Sequence, residues 1–279
     1  MSARPPSLSH AVPAPKWVSP SRIARYYFQE CPRYLRFSST PKDQQAAEGI
    51  PPAPFDFRPV STAILDTGYL WEEQVIEQHL GDTVHLAPAE PGLEVRDRVL
   101  TVERTIELLR TLTPGQWMYQ ATLITPAAFY KRYSLDPTVV QVADCRPDLI
   151  ECLQDEEGLL RLRVTDVKAS TGLKLSHRIQ ATMYSLILEH VLEEYGITDR
   201  SVDGSGGVWL SQTPEPEIFD IRMMRPPLES FLEEELEPLM QRPAAEAPCI
   251  STSAASGVHT SSTAETRCAE RTTSPACPT

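Results

Sequence analysis

The chain has 279 residues, 41% hydrophobic and 23% charged, the balance of an ordinary globular protein with a real core. No apolar run approaches the roughly 20 residues that span a bilayer, and the N-terminus lacks an apolar signal core, so a cytoplasmic protein without membrane contact is expected. The net charge of −12 speaks against general nucleic-acid binding, yet residues 1–60 hold eight Lys or Arg against four Asp or Glu, a local basic strip that includes Arg22, Arg25, Arg33 and Arg36.

Residues 1–20 are Pro-rich and expected to be disordered. A helix is then predicted from Ser21 to about Phe37, with Ser19 or Ser21 as N-cap and Ile23, Tyr26, Tyr27 and Leu35 on its apolar side. Pro32 marks a kink or break in it. Five prolines (Pro41, Pro51, Pro52, Pro54, Pro59) make residues 38–60 a loop. A second helix fits residues 61–80, where Leu65, Tyr69, Glu72, Val75, Ile76 and Leu80 recur at three- and four-residue steps before Gly81. Residues 94–112 read as a short strand followed by a helix, Trp117 to Thr125 as a strand, and Pro126 to Tyr133 as a short helix. Val139 to Leu153 and Leu159 to Ala169 alternate as two strands of a hairpin about the polar turn 154–158. Leu175 to Tyr195 is a strongly amphipathic helix closed by Gly196. Val208 to Ser211 and Glu217 to Arg222 read as strands. Pro227 to Arg242 reads as a helix with Leu228, Phe231, Leu232, Leu236 and Leu239 inward. This order implies an α/β sandwich. In residues 250–279, thirteen of thirty are Ser or Thr and none is aromatic, a composition that cannot bury a core.

The chemistry concentrates on the second hairpin strand. Side chains alternate faces, so Leu160, Leu162, Val164, Asp166 and Lys168 share one face, and an apolar face runs into an acid and a lysine at its end. A charged pair there needs a partner or a metal. Asp148, after Pro147 on the first hairpin strand, is brought beside Asp166 by the pairing. Two carboxylates with a lysine adjacent suit Mg²⁺, which takes hard oxygen ligands and keeps several waters. Such a site can activate water and stabilise charge on a phosphate. On the following helix, Gln180 and Tyr184 share a face at i and i+4, and His177 lies one turn before Gln180.

The ordered set Arg146-Pro147-Asp148-Leu149-Ile150, Thr165-Asp166-Val167-Lys168-Ala169 and Gln180-Ala181-Thr182-Met183-Tyr184 resembles the PD, (D/E)xK and QxxxY series of the RecB-like nucleases of the PD-(D/E)XK type. Gly68-Tyr69-Leu70-Trp71-Glu72-Glu73 resembles their upstream G-x-x-x-E segment. Ser21-Arg22-Ile23 with Cys31-Pro32-Arg33-Tyr34-Leu35 resembles the N-terminal cysteine element of the CRISPR-associated RecB-like exonucleases. The resemblance spans residues 18–240. It implies a restriction-endonuclease-like core over residues 21–242, with a central mixed β-sheet flanked by helices. It implies a metal-dependent deoxyribonuclease that hydrolyses phosphodiesters at DNA ends or in single strands. Mg²⁺ or Mn²⁺ would be bound by Asp148 and Asp166, with Glu72 or Glu73 nearby. Lys168 would be catalytic, and Gln180 and Tyr184 would support the site or the DNA strand. Arg22, Arg25 and Arg33 are candidates for DNA contact, and a helicase or CRISPR integrase is the class of protein partner implied. The alternative is a catalytically inactive nucleic-acid-binding or assembly module of the same fold.

The six cysteines are Cys31, Cys145, Cys152, Cys249, Cys268 and Cys277, with no CxxC pair. Cys145 and Cys152 read as core residues of the hairpin. The resemblance implies that Cys31 joins three C-terminal cysteines, spaced CxxC-x5-C, around a 4Fe-4S cluster; the three C-terminal cysteines here have a different spacing. Residues 243–279 are therefore either a native disordered tail or a frameshifted one. In the second case a one-base shift across Ser253 to Val258 permits Arg-Cys-Glu-Trp-Cys, and a third cysteine at position 264.

Overall fold

A computed structural model describes residues 14–52 and 59–248, with side chains from Asp66 onward in the second span. Its strands are β1 (Lys16–Val18), β2 (Val84–His85), β3 (Trp117–Tyr119), β4 (Val140–Val142), β5 (Leu149–Gln154), β6 (Leu160–Lys168), β7 (Arg200–Val202), β8 (Ser205–Leu210) and β9 (Glu217–Asp220). The helices are α1 (Pro20–Gln29), α2 (Pro32–Ser39), α3 (Lys42–Gln45), α4 (Pro59–Gln74), α5 (Val102–Thr111), α6 (Ala127–Arg132), α7 (Leu175–Glu194), α8 (Arg225–Ser230) and α9 (Leu236–Gln241).

The fold is α/β, with a mixed seven-stranded sheet in the order β2-β3-β5-β6-β8-β9 and with β7 also on β6. β5 and β6 form the predicted antiparallel hairpin, turned at Asp155–Gly158. β7 and β8 both run parallel to β6 and divide its other edge, β7 against Leu160–Leu162 and β8 against Thr165–Lys168. α7 is the crossover that makes this parallel pairing possible.

Helices cover both faces. On one, Leu162, Val164, Val208 and Leu210 pack with Ile179, Met183 and Ile187 of α7 and Ile23 of α1. On the other, Leu149, Val167 and Trp209 pack with Trp71, Val75, Ile76 and Trp117. Each such side chain contributes about 1.5–3 kcal/mol by leaving water. Twelve of the twenty α7 residues are buried, because the helix lies between the sheet and α1. Its buried Thr182 and Ser185 satisfy their hydroxyls on the carbonyls of Arg178 and Ala181.

Several elements depart from the sequence expectations. Ordered chain begins before residue 20: β1 pairs in parallel with β4, with Val18 buried. The first helix is two helices, parted at Glu30 in left-handed backbone just before Pro32, and its N-cap is Ser19, whose Oγ accepts from Arg22 N at 3.3 Å. The expected loop 38–60 contains α3 and the start of α4. The second helix widens into a π turn over Val75–Leu80 before Gly81. No strand forms near residue 94; Val95–Asp97 is a 3-10 turn after a Pro- and Gly-containing stretch. The strand expected over Trp117–Thr125 ends at Tyr119. The strand expected over Val139–Leu153 divides into β4 and β5, because Cys145 bridges Leu123 and Pro147 has no N–H to pair. The helix expected over residues 227–242 becomes α8, a π turn over Phe231–Glu235 and α9, since Pro238 offers no N–H to the carbonyl of Glu234. β7 was not anticipated. Leu65 and the tail cysteines Cys249, Cys268 and Cys277 lie outside the residues whose side chains are described.

Candidate active site

Leu149 pairs with Thr165, so the next register step sets Asp148 opposite Asp166 at the end of the hairpin. Asp148 leaves the ladder there: its carbonyl accepts from Gln120 N at 2.9 Å, and its Oδ2 accepts from Val167 N at 2.8 Å. Lys168 Nζ lies 2.8 Å from Asp166 Oδ2 and 3.7 Å from Asp148 Oδ2, so both carboxylates meet one ammonium. From α7, Gln180 Nε2 lies 3.3 Å from both Asp166 Oδ1, to which it donates, and the Tyr184 hydroxyl.

Asp166 is 0% exposed. Burial raises its pKa well above the usual carboxylate range, Asp148 raises it further, and Lys168 offsets only part of this. Burial alone pulls the Lys168 ammonium down, but Asp166, Asp148 and Glu72 together outweigh it and hold the lysine charged. Asp166 Oδ2 is enclosed, and the Lys168 ammonium 2.8 Å away is the charge that faces it. Burial also raises the Tyr184 hydroxyl, with Asp166 and Asp148 adding to it.

Between the two acids of the upstream motif, the fold distinguishes Glu72. Tyr119 OH donates to Glu72 Oε2 at 3.0 Å. Burial, then Asp148, pushes the Glu72 carboxyl up to about 7, against partial relief from Tyr119 and Lys168. Glu73 instead lines a surface recess with Asp66, Tyr69 and Arg96. Tyr119 escaped the sequence reading; its signal was that a tyrosine in a buried strand needs a hydrogen-bond partner for its hydroxyl.

The other candidates do not contact these carboxylates. Arg22 donates to the carbonyl of Trp17, and Arg25 lies over the ring of Tyr34. Arg33, expected at DNA, commits its Nε to the carbonyl of Ala247 and its backbone N–H to that of Pro248. Cys31 is a half-buried free thiol at the start of α2, and Cys145 and Cys152 are buried in the core.

Among the described residues, no group of three His, Cys, Asp or Glu side chains is spaced to hold an ion. Mg²⁺ is commonly held by one or two carboxylates with waters completing its shell. The Asp148–Asp166 pair, with an enclosed oxygen on Asp166, fits that demand, and Glu72 lies near enough for Asp148 to raise its pKa. A 4Fe-4S cluster does not fit the described residues: it needs four thiolates, and these residues hold three cysteines that form no common ligand group.

Neither a scan against protein-family models nor a search of curated proteins finds a match to this chain.

Proposed function

We propose that this chain is a metal-dependent deoxyribonuclease with a RecB-like, restriction-endonuclease-like core, hydrolysing phosphodiesters at DNA ends or in single strands. The observation that carries this reading is the meeting of Asp148 and Asp166, from neighbouring strands, on Lys168 at one end of the sheet. Asp148 and Asp166 would hold Mg²⁺ or Mn²⁺. When bound, the cation supplies positive charge that activates water and offsets charge on the phosphate. Lys168 orients the attacking water and stabilises the negative charge that grows on the phosphate oxygens as the P–O bond breaks. Gln180 holds Asp166 by its Oδ1, and Tyr184 holds Gln180, so the acid keeps one orientation. Tyr119 does the same for Glu72.

A second reading, an inactive DNA-binding module of the same fold, draws on the Lys168 ammonium standing between the two carboxylates. The discriminating experiment is degradation of end-labelled single- and double-stranded DNA by the purified chain with Mg²⁺ or Mn²⁺. Cleavage lost with EDTA and in Asp166→Ala supports the nuclease. DNA binding without cleavage supports the second reading. Cleavage that survives both treatments contradicts the metal mechanism.

A further inference from the structure

His177 has no part in the function just described, although it stands one turn before Gln180 on the stripe of α7 that reaches Asp166. The residue is 8% exposed. Its Nδ1 accepts the backbone N–H of Lys174 at 3.3 Å. A neutral imidazole that accepts at Nδ1 carries its proton on Nε2. Nε2 has no hydrogen-bond partner among the described residues, and a small part of the residue meets solvent. Burial first, and then the cations Lys168 and Lys174, push the ring down to about 4, so it is uncharged at neutral pH.

The fold thus presents one fixed donor, with its tautomer set by the start of α7, one turn before the Gln180 that reaches Asp166. It offers no acceptor outward. Lys168 and Lys174 both act on this ring, Lys168 being itself paired with Asp166 and Asp148.

We propose that His177 Nε2–H donates to a phosphate oxygen of the DNA strand lying in the Asp148–Asp166 site, as a substrate-binding residue. This rests on the nuclease reading. A phosphate contact of this kind sets the register of the strand and carries no base preference. A ring that is already neutral has no labile second proton to give, so it does not serve as the acid for the leaving oxygen.

The test is binding of a labelled single-stranded oligonucleotide, with Ca²⁺ replacing Mg²⁺ to hold back cleavage, across a salt series. It is run on wild type, His177→Phe and His177→Gln, with thermal unfolding of each. Phe removes the donor, whereas Gln keeps an amide donor and an oxygen for the Lys174 N–H. The Phe variant is expected to bind about tenfold more weakly, the scale of one hydrogen bond to a charged group. Gln is expected to recover most of this. The slope of log affinity against log salt should not change, since a neutral donor releases no counterion. Should Phe not fold, His177→Asn, which keeps an oxygen for the helix start but is too short to reach the strand, is read the same way. Wild-type binding by the donorless variant, no recovery with Gln, or a slope reduced by about one overturns the inference. If wild type binds and cleaves while the Phe variant equals it, this inference alone fails. If wild type neither binds nor cleaves, the nuclease reading fails and takes this one with it.

Discussion

Asp166 and Glu72 are acids held above their ordinary pKa by burial, and metal-free stability should show it. Glu72 moves from 4.5 to about 7. Between those values the unfolded chain has released this proton and the folded chain retains it, so raising the pH favours unfolding. Metal-free stability from urea unfolding should fall between pH 4.5 and 7, by on the order of 2 kcal/mol for Glu72. Glu72→Gln should remove that part of the slope. Tyr119→Phe should cost about 1 kcal/mol of stability and weaken Mg²⁺ binding by about tenfold or more in calorimetric titration, because Glu72 loses the group that orients it. Unchanged Mg²⁺ affinity would show that Glu72 plays no part in the cation's surroundings. At this scale the sequence was informative where residues are close along the chain: Asp166 and Lys168 share a strand face by alternation alone, as Gln180 and Tyr184 share a helix face. Tyr119 was not legible, because its role depends on α4, 47 residues away in sequence, being folded beside it.

Among the elements, β6 and β8 must approach closely to bring Asp166 and Lys168 to the sheet end. Gly207, paired with Thr165, permits this: a Cβ there would overlap Thr165 Oγ1 and press on its Cγ2. Gly207→Ala should destabilise the chain by about 1–3 kcal/mol, the usual cost of overpacking. Thr165→Ala in the same chain should restore part of that loss in chemical denaturation, and an additive pair would refute the account of the clash. The long, strongly periodic elements α7 and β6 were readable to within a residue or two. The errors fell where a tertiary partner or a missing N–H decides: β1 needs β4, the break before β5 follows from Pro147, and the widened turn before α9 follows from Pro238.

For the whole molecule, sequence patterning led to an α/β sandwich and the resemblance to a central mixed sheet, and the structure is α/β with a mixed seven-stranded sheet. Strand order was beyond it, since β7 and β8 sharing one edge of β6 depends on contacts remote in sequence. The same holds for how the chain's far parts are joined. Arg36, 3% exposed, donates to the carbonyl of Arg242 and pairs with Glu48, which also binds Lys16. Arg36→Met should cost about 3–5 kcal/mol, because Arg242 and Glu48 lose a buried partner together. A drop in thermal stability below that of a surface substitution's scale would mean the tie is not structural. This positive charge, with Arg33 on the carbonyl of Ala247, is used inside the fold. The cation proposed for Asp148 and Asp166 can be counted directly. Mn²⁺ titrated into the metal-free chain and followed by electron paramagnetic resonance should show one bound ion, lost in the Asp148→Asn, Asp166→Asn double variant while that variant still unfolds cooperatively. An ion bound equally well by the double variant, or none bound by wild type, would contradict the assignment of this carboxylate pair as a metal centre.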